Sequence, residues 1–133
     1  MSAADVAVDT NILIYVYSED RRKRSIAIEP IEAGCLVSVQ ALNEFASVAV
    51  RKLRFSWDET EEALDAIIAQ STVSPIEIEH HFAARRIAKA TRYSFYDSLM
   101  IAVALEGGAR TFLSEDLQDG RVVEGMTIRN PFV

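Results

Sequence analysis

Four acidic residues have the types and positions to share one chemical site: Asp9, Glu44, Asp97 and Asp116. Two like charges about 4 Å apart repel by roughly 4 kcal/mol at an effective dielectric constant of about 20, so converging carboxylates need a cation between them. Oxygen ligands of this kind suit Mg²⁺ or Mn²⁺, and no spacing of His and Cys indicates zinc. Because such an ion activates water and stabilises charge on a phosphodiester, the set predicts a metal-dependent nuclease.

Each of these acids also has an ordinary structural explanation. Asp9 is a good residue type for the N-cap of a helix. Asp97 has the spacing of a capping-box partner of Ser94, although Glu or Gln is usual there. Glu44 could be a solvated residue beside an apolar helix stripe, and Asp116 could be an aspartate in a turn. These alternatives stay open for each residue alone, so the group is more informative than its members.

The elements that must position the acids follow from hydrophobic spacing, capping signals and turn residues. Helices are predicted over residues 11–17, 19–32, 40–54, 57–70, 77–91 and 95–106. Strands are predicted over residues 6–8, 35–39, 72–76, 111–113 and 126–129, the last of them as an edge strand. Pro30 lacks a backbone donor, which predicts a kink or an early end of the second helix before Gly34.

These strands alternate with helices and are too apolar to have a solvated face. The pattern predicts an α/β fold with a mostly parallel central sheet that is covered by helices on both sides. In such sheets sites form outside the carboxyl ends of the strands, and both Asp9 and residues 114–116 directly follow strands. No repeat, low-complexity tract or linker is visible, which predicts a single domain over residues 1–133.

The composition narrows the class of protein. The chain has 133 residues, of which 50% are apolar and 26% charged, as in an ordinary globular domain. A net charge of −6 argues against binding nucleic acid by overall basicity. It does not exclude a nuclease, because a bound metal reverses the local charge of an acidic site. A single cysteine, no signal-like N-terminus and no apolar segment of about 20 residues favour a cytoplasmic protein.

Taken together, the motifs resemble those of the PIN domain superfamily, and within it the VapC-type ribonuclease toxins of type II toxin–antitoxin pairs. The matching segments, in order, are 8–11 (VDTN), 42–45 (LNEF), 96–104 (YDSLMIAVA), 113–120 (LSEDLQDG) and 128–132 (IRNPF). They extend from one end of the chain to the other. The resemblance implies a three-layer α/β/α PIN-like fold over the single domain.

The resemblance also implies the roles of the site residues and the partners. It makes Asp9, Glu44, Asp97 and Asp116 the catalytic, metal-binding acids, with Asp9 and Asp97 as the likeliest direct ligands of Mg²⁺ or Mn²⁺. The supporting residues that it implies are Thr10, Asn11, Ser114 and, through water, Asp119. Implied partners are an RNA substrate, a second copy in a homodimer, and a cognate antitoxin that occludes the acidic pocket.

Basic side chains form two clusters, and we expect only one of them to contact RNA. Arg85, Lys89 and Arg92 are three and four residues apart, and we hypothesise that this stripe steers RNA towards the acids. Residues 21–24 (RRKR) could contact phosphates, but a solvated helix face paired with residues 19–20 is the stronger interpretation.

The remaining reactive residue types are assigned structural positions. His80 and His81 are adjacent, so they point about 100° apart on a helix and are predicted to lie on the surface. Cys35 lies in an apolar run without an acid–base partner and is predicted to be a buried apolar residue.

The sequence therefore predicts a metal-dependent endoribonuclease, the toxin of a toxin–antitoxin pair. Two alternatives remain: a PIN-domain nuclease in RNA processing, and an inactive PIN-like module that binds RNA or protein. The complete set of acids disfavours the inactive module.

Overall fold

The computed structural model describes residues 5–133. Its helices are α1 (Thr10–Tyr15), α2 (Arg21–Glu32), α3 (Val39–Arg51), α4 (Trp57–Gln70), α5 (Ile78–Thr91) and α6 (Phe95–Glu106). Its strands are β1 (Val6–Val8), β2 (Leu36–Ser38), β3 (Thr72–Ser74), β4 (Thr111–Leu113), β5 (Val122–Val123) and β6 (Met126–Arg129). The predicted α/β class is confirmed, and the alternation of helices and strands follows the sequence prediction closely.

The strands form one sheet in the order β3-β2-β1-β4-β6-β5, in which every neighbouring pair is parallel except β5 and β6. β1 lies between β2 and β4, and Val8 is opposite Leu113 in the register of β1 and β4. The residues that follow these two, Asp9 and Ser114, are therefore neighbours at the carboxyl edge of the sheet. A backbone hydrogen bond from the Asp9 N–H to the Leu113 carbonyl, 2.9 Å long, fixes this register.

The far edge of the sheet differs from the prediction. β6 is not an edge strand, because β5 pairs with its outer side in an antiparallel hairpin. The two turn residues, Glu124 and Gly125, have φ angles of 47° and 91°. Two consecutive positive φ angles are the geometry of a type I′ turn, which suits the twist of paired strands. A two-residue strand is too short to show a hydrophobic pattern of its own.

Pro30 does not shorten helix α2. It lies inside the last turn, and the helix continues through it to Glu32. The chain then reverses at Gly34, whose φ of 85° is in the left-handed region, while the Cys35 N–H donates to the Pro30 carbonyl at 3.0 Å. Helix α3, in contrast, ends three residues before the predicted boundary, and Arg54 beyond it has a φ of 59°.

The core lies between the sheet and the helices. Phe45, Phe112 and Met100 are among its largest fully buried side chains. Helix α6 is buried along most of its length, from Ser98 to Ala104, as its nearly uniform apolar sequence predicts. Cys35 is buried, as predicted, and burial raises the pKa of its thiol to about 12. In the described part of the chain no helix is long and apolar enough to cross a membrane.

The surface position predicted for His80 is wrong, whereas His81 is exposed as predicted. His80 is 5% exposed and lies in the first turn of α5, where its Nδ1 accepts the Glu77 N–H at 2.8 Å. Its Nε2 contacts the Glu106 carboxylate on α6. A histidine that caps a helix start is uncommon, so the sequence pattern did not indicate this role.

Candidate active site

Asp9 is the most deeply buried of the four acids, with 4% of its surface exposed. It is the N-cap of α1, and its Oδ1 accepts the Thr10 N–H at 2.7 Å. Its Oδ2 accepts the Ser114 hydroxyl at 2.7 Å and the Asn11 amide at 3.3 Å. A carboxylate has about four lone-pair sites, so these three bonds leave one for a further ligand. The capping alternative is therefore confirmed and remains compatible with a functional role.

The environment of Asp9 opposes its ionisation. Burial is the main cause that raises the pKa of its carboxyl to about 7, and the charges of Asp97 and Asp116 add to the rise. The hydrogen bonds from the Ser114 hydroxyl and the Thr10 N–H act in the opposite direction. A carboxylate that is buried and faces other acids is stabilised in its charged form by a nearby cation.

Ser114 and Asn11 connect Asp9 to the acidic turn. The buried Ser114 hydroxyl accepts the N–H groups of Asp116 and Leu117, at 3.2 and 3.3 Å. The Asn11 amide nitrogen donates to Asp116 Oδ2 at 3.1 Å, and the Asn11 side-chain oxygen accepts the Glu115 N–H at 3.2 Å. Asp116 itself is exposed, so its position beside Asp9 depends on these bonds.

Glu44 is held from two sides in a half-buried position on α3. Thr10 donates from its hydroxyl to Oε1 at 3.0 Å, and Gln40 donates from its amide to Oε2 at 3.0 Å. Gln40 was not among the site residues predicted from the sequence. Its position one helical turn before Glu44 is the signal that could have identified it, because residues at i and i+4 are neighbours on a helix surface.

Asp97 lies in the first turn of α6, where Ser94 accepts its N–H at 3.1 Å. Ser94 is thus the cap, as the structural alternative predicted. The Asp97 carboxyl is half-buried, and its pKa is raised, mainly by burial and further by the charges of Glu44 and Asp116. The Ser94 hydrogen bond acts against this rise.

The four acids are thus linked by shared hydrogen bonds and mutual repulsion at one edge of the sheet. The donor chemistry, carboxylate oxygens with neighbouring hydroxyl and amide groups, fits Mg²⁺ or Mn²⁺. Within residues 5–133, however, no group of three or more His, Cys, Asp or Glu side chains is arranged so that it could hold a metal ion. The acids are therefore neighbours at this edge of the sheet, but no three of them are already arranged as a set of metal ligands.

Comparison with known proteins places this arrangement in a family. The PIN domain family matches residues 6–122. The chain belongs to the PIN domain family. Among curated proteins, no significant match to the sequence was found.

Solved structures share the fold of this PIN domain along most of its length. A toxin–antitoxin complex from Klebsiella pneumoniae matches with a TM-score of 0.74 at 17% identity, covering 95% of this chain and 97% of the other. VapBC2 from Rickettsia felis, bound to a promoter DNA fragment, has a TM-score of 0.70 at 14% identity, with 94% and 97% covered. Mycobacterium tuberculosis VapC20, a toxin that cleaves the sarcin–ricin loop, has a TM-score of 0.65 at 18% identity, with 80% and 86% covered. At these identities the comparisons establish the fold.

Asp119, the fourth supporting residue predicted from the sequence, has a structural partner of its own. Its Oδ1 accepts the Asn130 N–H at 2.9 Å, which ties the acidic turn to the segment after β6. Its water-mediated contribution to the site stays a prediction.

A second network of side chains, which the sequence did not predict, lies beside the site. Lys23 forms a salt bridge of 2.7 Å with Glu115, and the Tyr15 hydroxyl donates to the same carboxylate. Lys23 lowers the pKa of Glu115, and the hydrogen bond from Tyr15 adds to this effect. Lys23 therefore pairs with the acidic turn, and the predicted pairing with residues 19–20 is wrong for this side chain. A contact between residues 92 positions apart leaves no local pattern in the sequence.

The predicted basic stripe lies on and after α5. Arg85 and Lys89 are exposed on the helix, and Arg92 is exposed at its C-cap with a φ of 67°. Arg85 lies over the Phe82 ring, 5.3 Å from the ring centre. Its role in steering RNA stays a prediction.

Proposed function

We propose that this PIN domain is a Mg²⁺- or Mn²⁺-dependent endoribonuclease and the toxin of a toxin–antitoxin pair. The observation that carries the proposal is Asp9, a buried carboxyl beside two other acids with its pKa raised to about 7. Such a group costs free energy unless a cation compensates its charge, and family membership makes a catalytic divalent ion the natural cation.

The residues divide into ligands and the groups that orient them. Asp9 and Asp97 would hold the ion, and Glu44 and Asp116 would complete its environment directly or through water. Thr10 orients Glu44, while Ser114 and Asn11 hold Asp9 beside the acidic turn. When bound, the ion supplies an activated water and stabilises negative charge on the phosphodiester that is attacked.

The assignment as a toxin with an antitoxin partner rests on the structural neighbours. A chain of the Klebsiella pneumoniae toxin–antitoxin complex matches this chain over 95% of this chain and 97% of its own length. VapC20 is described as cleaving the sarcin–ricin loop, which supports RNA as the substrate class here. A homodimer, a cognate antitoxin that occludes the acids, and action in the cytoplasm complete the proposal.

The test is cleavage of a single-stranded RNA with Mn²⁺ or with EDTA. We expect cleavage only with metal, and a loss of about 100-fold or more in Asp9→Asn and Asp97→Asn, because losing an outer-shell partner of a metal already costs about 10–100-fold. Asp65→Asn, an exposed acid on α4, is the matched control and should cleave normally. Undiminished cleavage in EDTA, or in either site variant, would contradict the proposal.

Growth arrest tests the assignment as a toxin. Expression of the wild-type chain should arrest growth, Asp97→Asn should not, and co-expression of a small adjacent reading frame should relieve the arrest. Normal growth with an active nuclease would favour a role in RNA processing.

A further inference from the structure

We propose that a groove beside Glu44 binds the nucleotide next to the scissile phosphate, with its base stacked on Tyr96 and a phosphate held by Arg51. This inference rests on the proposed ribonuclease function and adds a substrate subsite to it. The α3 groove, as we call it, is lined by Gln40, Asn43, Glu44, Ser47, Val48, Arg51 and Tyr96.

The α3 groove adjoins the acidic site at Glu44. Glu44 belongs to both, and Tyr96 immediately precedes Asp97 in the first turn of α6. The cavity volume is about 470 Å³, within the range of about 300–1,000 Å³ that is typical of small-molecule sites. Gln40, Glu44, Ser47 and Arg51 are four, three and four residues apart, so they share one face of α3. Along that face Arg51 is about 10 Å from Glu44.

Arg51 supplies an uncompensated positive charge at the far end of the groove. Its Nε donates to the Ser47 hydroxyl at 3.0 Å, which orients the guanidinium, and no carboxylate among residues 5–133 forms a salt bridge with it. Lys23 and Arg86, in contrast, are paired with Glu115 and Glu124. An oriented arginine with two terminal nitrogens available suits a phosphate.

Tyr96 supplies an aromatic surface at the entrance. Tyr96 is 58% exposed. The planes of its ring and of the Phe95 ring meet at 76°, so the two rings are not stacked face to face. Aromatic side chains stack on the bases of single-stranded RNA, and each such contact contributes about 5- to 150-fold to affinity.

Asn43 gives the groove a way to distinguish bases. It is exposed on α3, and its amide makes no hydrogen bond with other described residues. An amide offers two donors and an acceptor, which match the edge of an unpaired base.

The combination of an aromatic ring, an oriented cation and a connection to the acids favours RNA over a protein occupant. A second copy of this chain, with a net charge of −6, offers no general attraction to an acidic site. A peptide of an antitoxin is the other competing occupant. The experiment below distinguishes RNA from these two protein occupants.

Kinetics with a single-stranded RNA and Mn²⁺ form the first arm of the experiment. We expect Tyr96→Leu and Arg51→Gln each to raise KM about 10-fold while kcat changes less than about threefold, because stacking and phosphate binding act before the chemical step. The matched controls are Trp57→Leu and Arg110→Gln, an exposed aromatic and an exposed arginine outside the groove, which should leave KM unchanged. Unchanged KM in both groove variants would overturn the proposal.

Photocrosslinking forms the second arm and does not require cleavage. An RNA that carries 5-iodouridine is irradiated with the full-length Asp9→Asn variant, and the crosslinked peptide is identified by mass spectrometry. A crosslink at Tyr96 that is lost with Tyr96→Leu supports the subsite even if the wild type fails to cleave RNA, which separates this inference from the proposed function. A crosslink only elsewhere overturns it. A change of oligomeric mass in both groove variants, measured by sedimentation, would also overturn it by assigning the groove to protein contacts.

Discussion

Asp9 combines a structural role with an electrostatic cost. It caps α1 and holds Ser114, yet its burial beside Asp97 and Asp116 raises the pKa of its carboxyl from 3.8 to about 7. Between these two values the folded protein retains a proton that the unfolded chain releases. The contribution of Asp9 to the free energy of unfolding of the metal-free protein should therefore fall as the pH rises from about 4 to 7.

Asp9→Asn removes this cost because the amide is neutral at every pH. Without metal, we expect the variant to be more stable than the wild type at pH 8, by up to about 4 kcal/mol since one pKa unit corresponds to about 1.4 kcal/mol. The difference should shrink towards pH 4. Urea unfolding in EDTA at several pH values measures it.

Asp65→Asn serves as the control for this series, because Asp65 is exposed on α4. Its stability relative to the wild type should not vary with pH in the same way. An Asp9→Asn variant that is less stable than the wild type at pH 8 would show that the hydrogen bonds of Asp9 outweigh its charge.

Ser114 and Ser98 are both buried, but we expect their replacement by alanine to have different effects on stability. Ser114 donates to Asp9 and accepts two backbone N–H groups, so Ser114→Ala should cost about 1–3 kcal/mol. The buried Ser98 hydroxyl has no hydrogen-bond partner in the described chain, so Ser98→Ala should be neutral or stabilising. Chemical denaturation of both variants gives the comparison. Equal losses would mean that the bonds of Ser114 contribute nothing specific.

At the residue scale, the sequence indicated the acids but not all of their supports. Asp9 and Ser114 were found because each directly follows a strand, and this adjacency fixes their place at the edge of a parallel sheet. Gln40 and the Lys23–Glu115 pair were missed. Their roles depend on side-chain directions and on tertiary contacts, which local patterns do not carry.

At the scale of elements, the strongest local signals gave the most accurate boundaries. The helix predicted over 57–70 is confirmed at both ends, and its first residue is marked by the capping box of Ser56 and Glu59 that the sequence shows. β5 was missed, since its two residues are a strand only through pairing with β6. Tertiary pairing also determines that β6 is internal.

The β5–β6 turn offers a test at this scale. Gly125 has a φ of 91°, a conformation that costs a residue with a Cβ atom about 1–2 kcal/mol. Gly125→Ala should lower the stability by about that amount, as measured by thermal or urea unfolding. Glu124→Gly, in the same turn at a φ of 47°, is the matched control and should not destabilise, because its exposed salt bridge with Arg86 contributes little. Equal destabilisation by both changes would argue against the turn geometry.

At the scale of the whole molecule, the fold is specified by a pattern that survives wide divergence in sequence. Solved structures at 14–18% identity share the arrangement of this PIN domain along most of the chain. The alternation of apolar strands with helices was sufficient to predict a mostly parallel sheet covered by helices, whereas the PIN-like fold was predicted from the resemblance of the motifs. Only the folded molecule brings residues 9, 44, 97 and 116 near one another, since they come from four separate segments of the chain.

The central claim is that these four acids bind one divalent ion. Anomalous diffraction from crystals soaked in Mn²⁺ tests this claim most directly. We predict an anomalous peak at bonding distance from carboxylate oxygens of Asp9 and Asp97, with Glu44 and Asp116 beside it directly or through water. Crystals of Asp9→Asn should lack this peak. A Mn²⁺ peak only at other acids, or an unchanged peak in the Asp9→Asn crystals, would contradict the account.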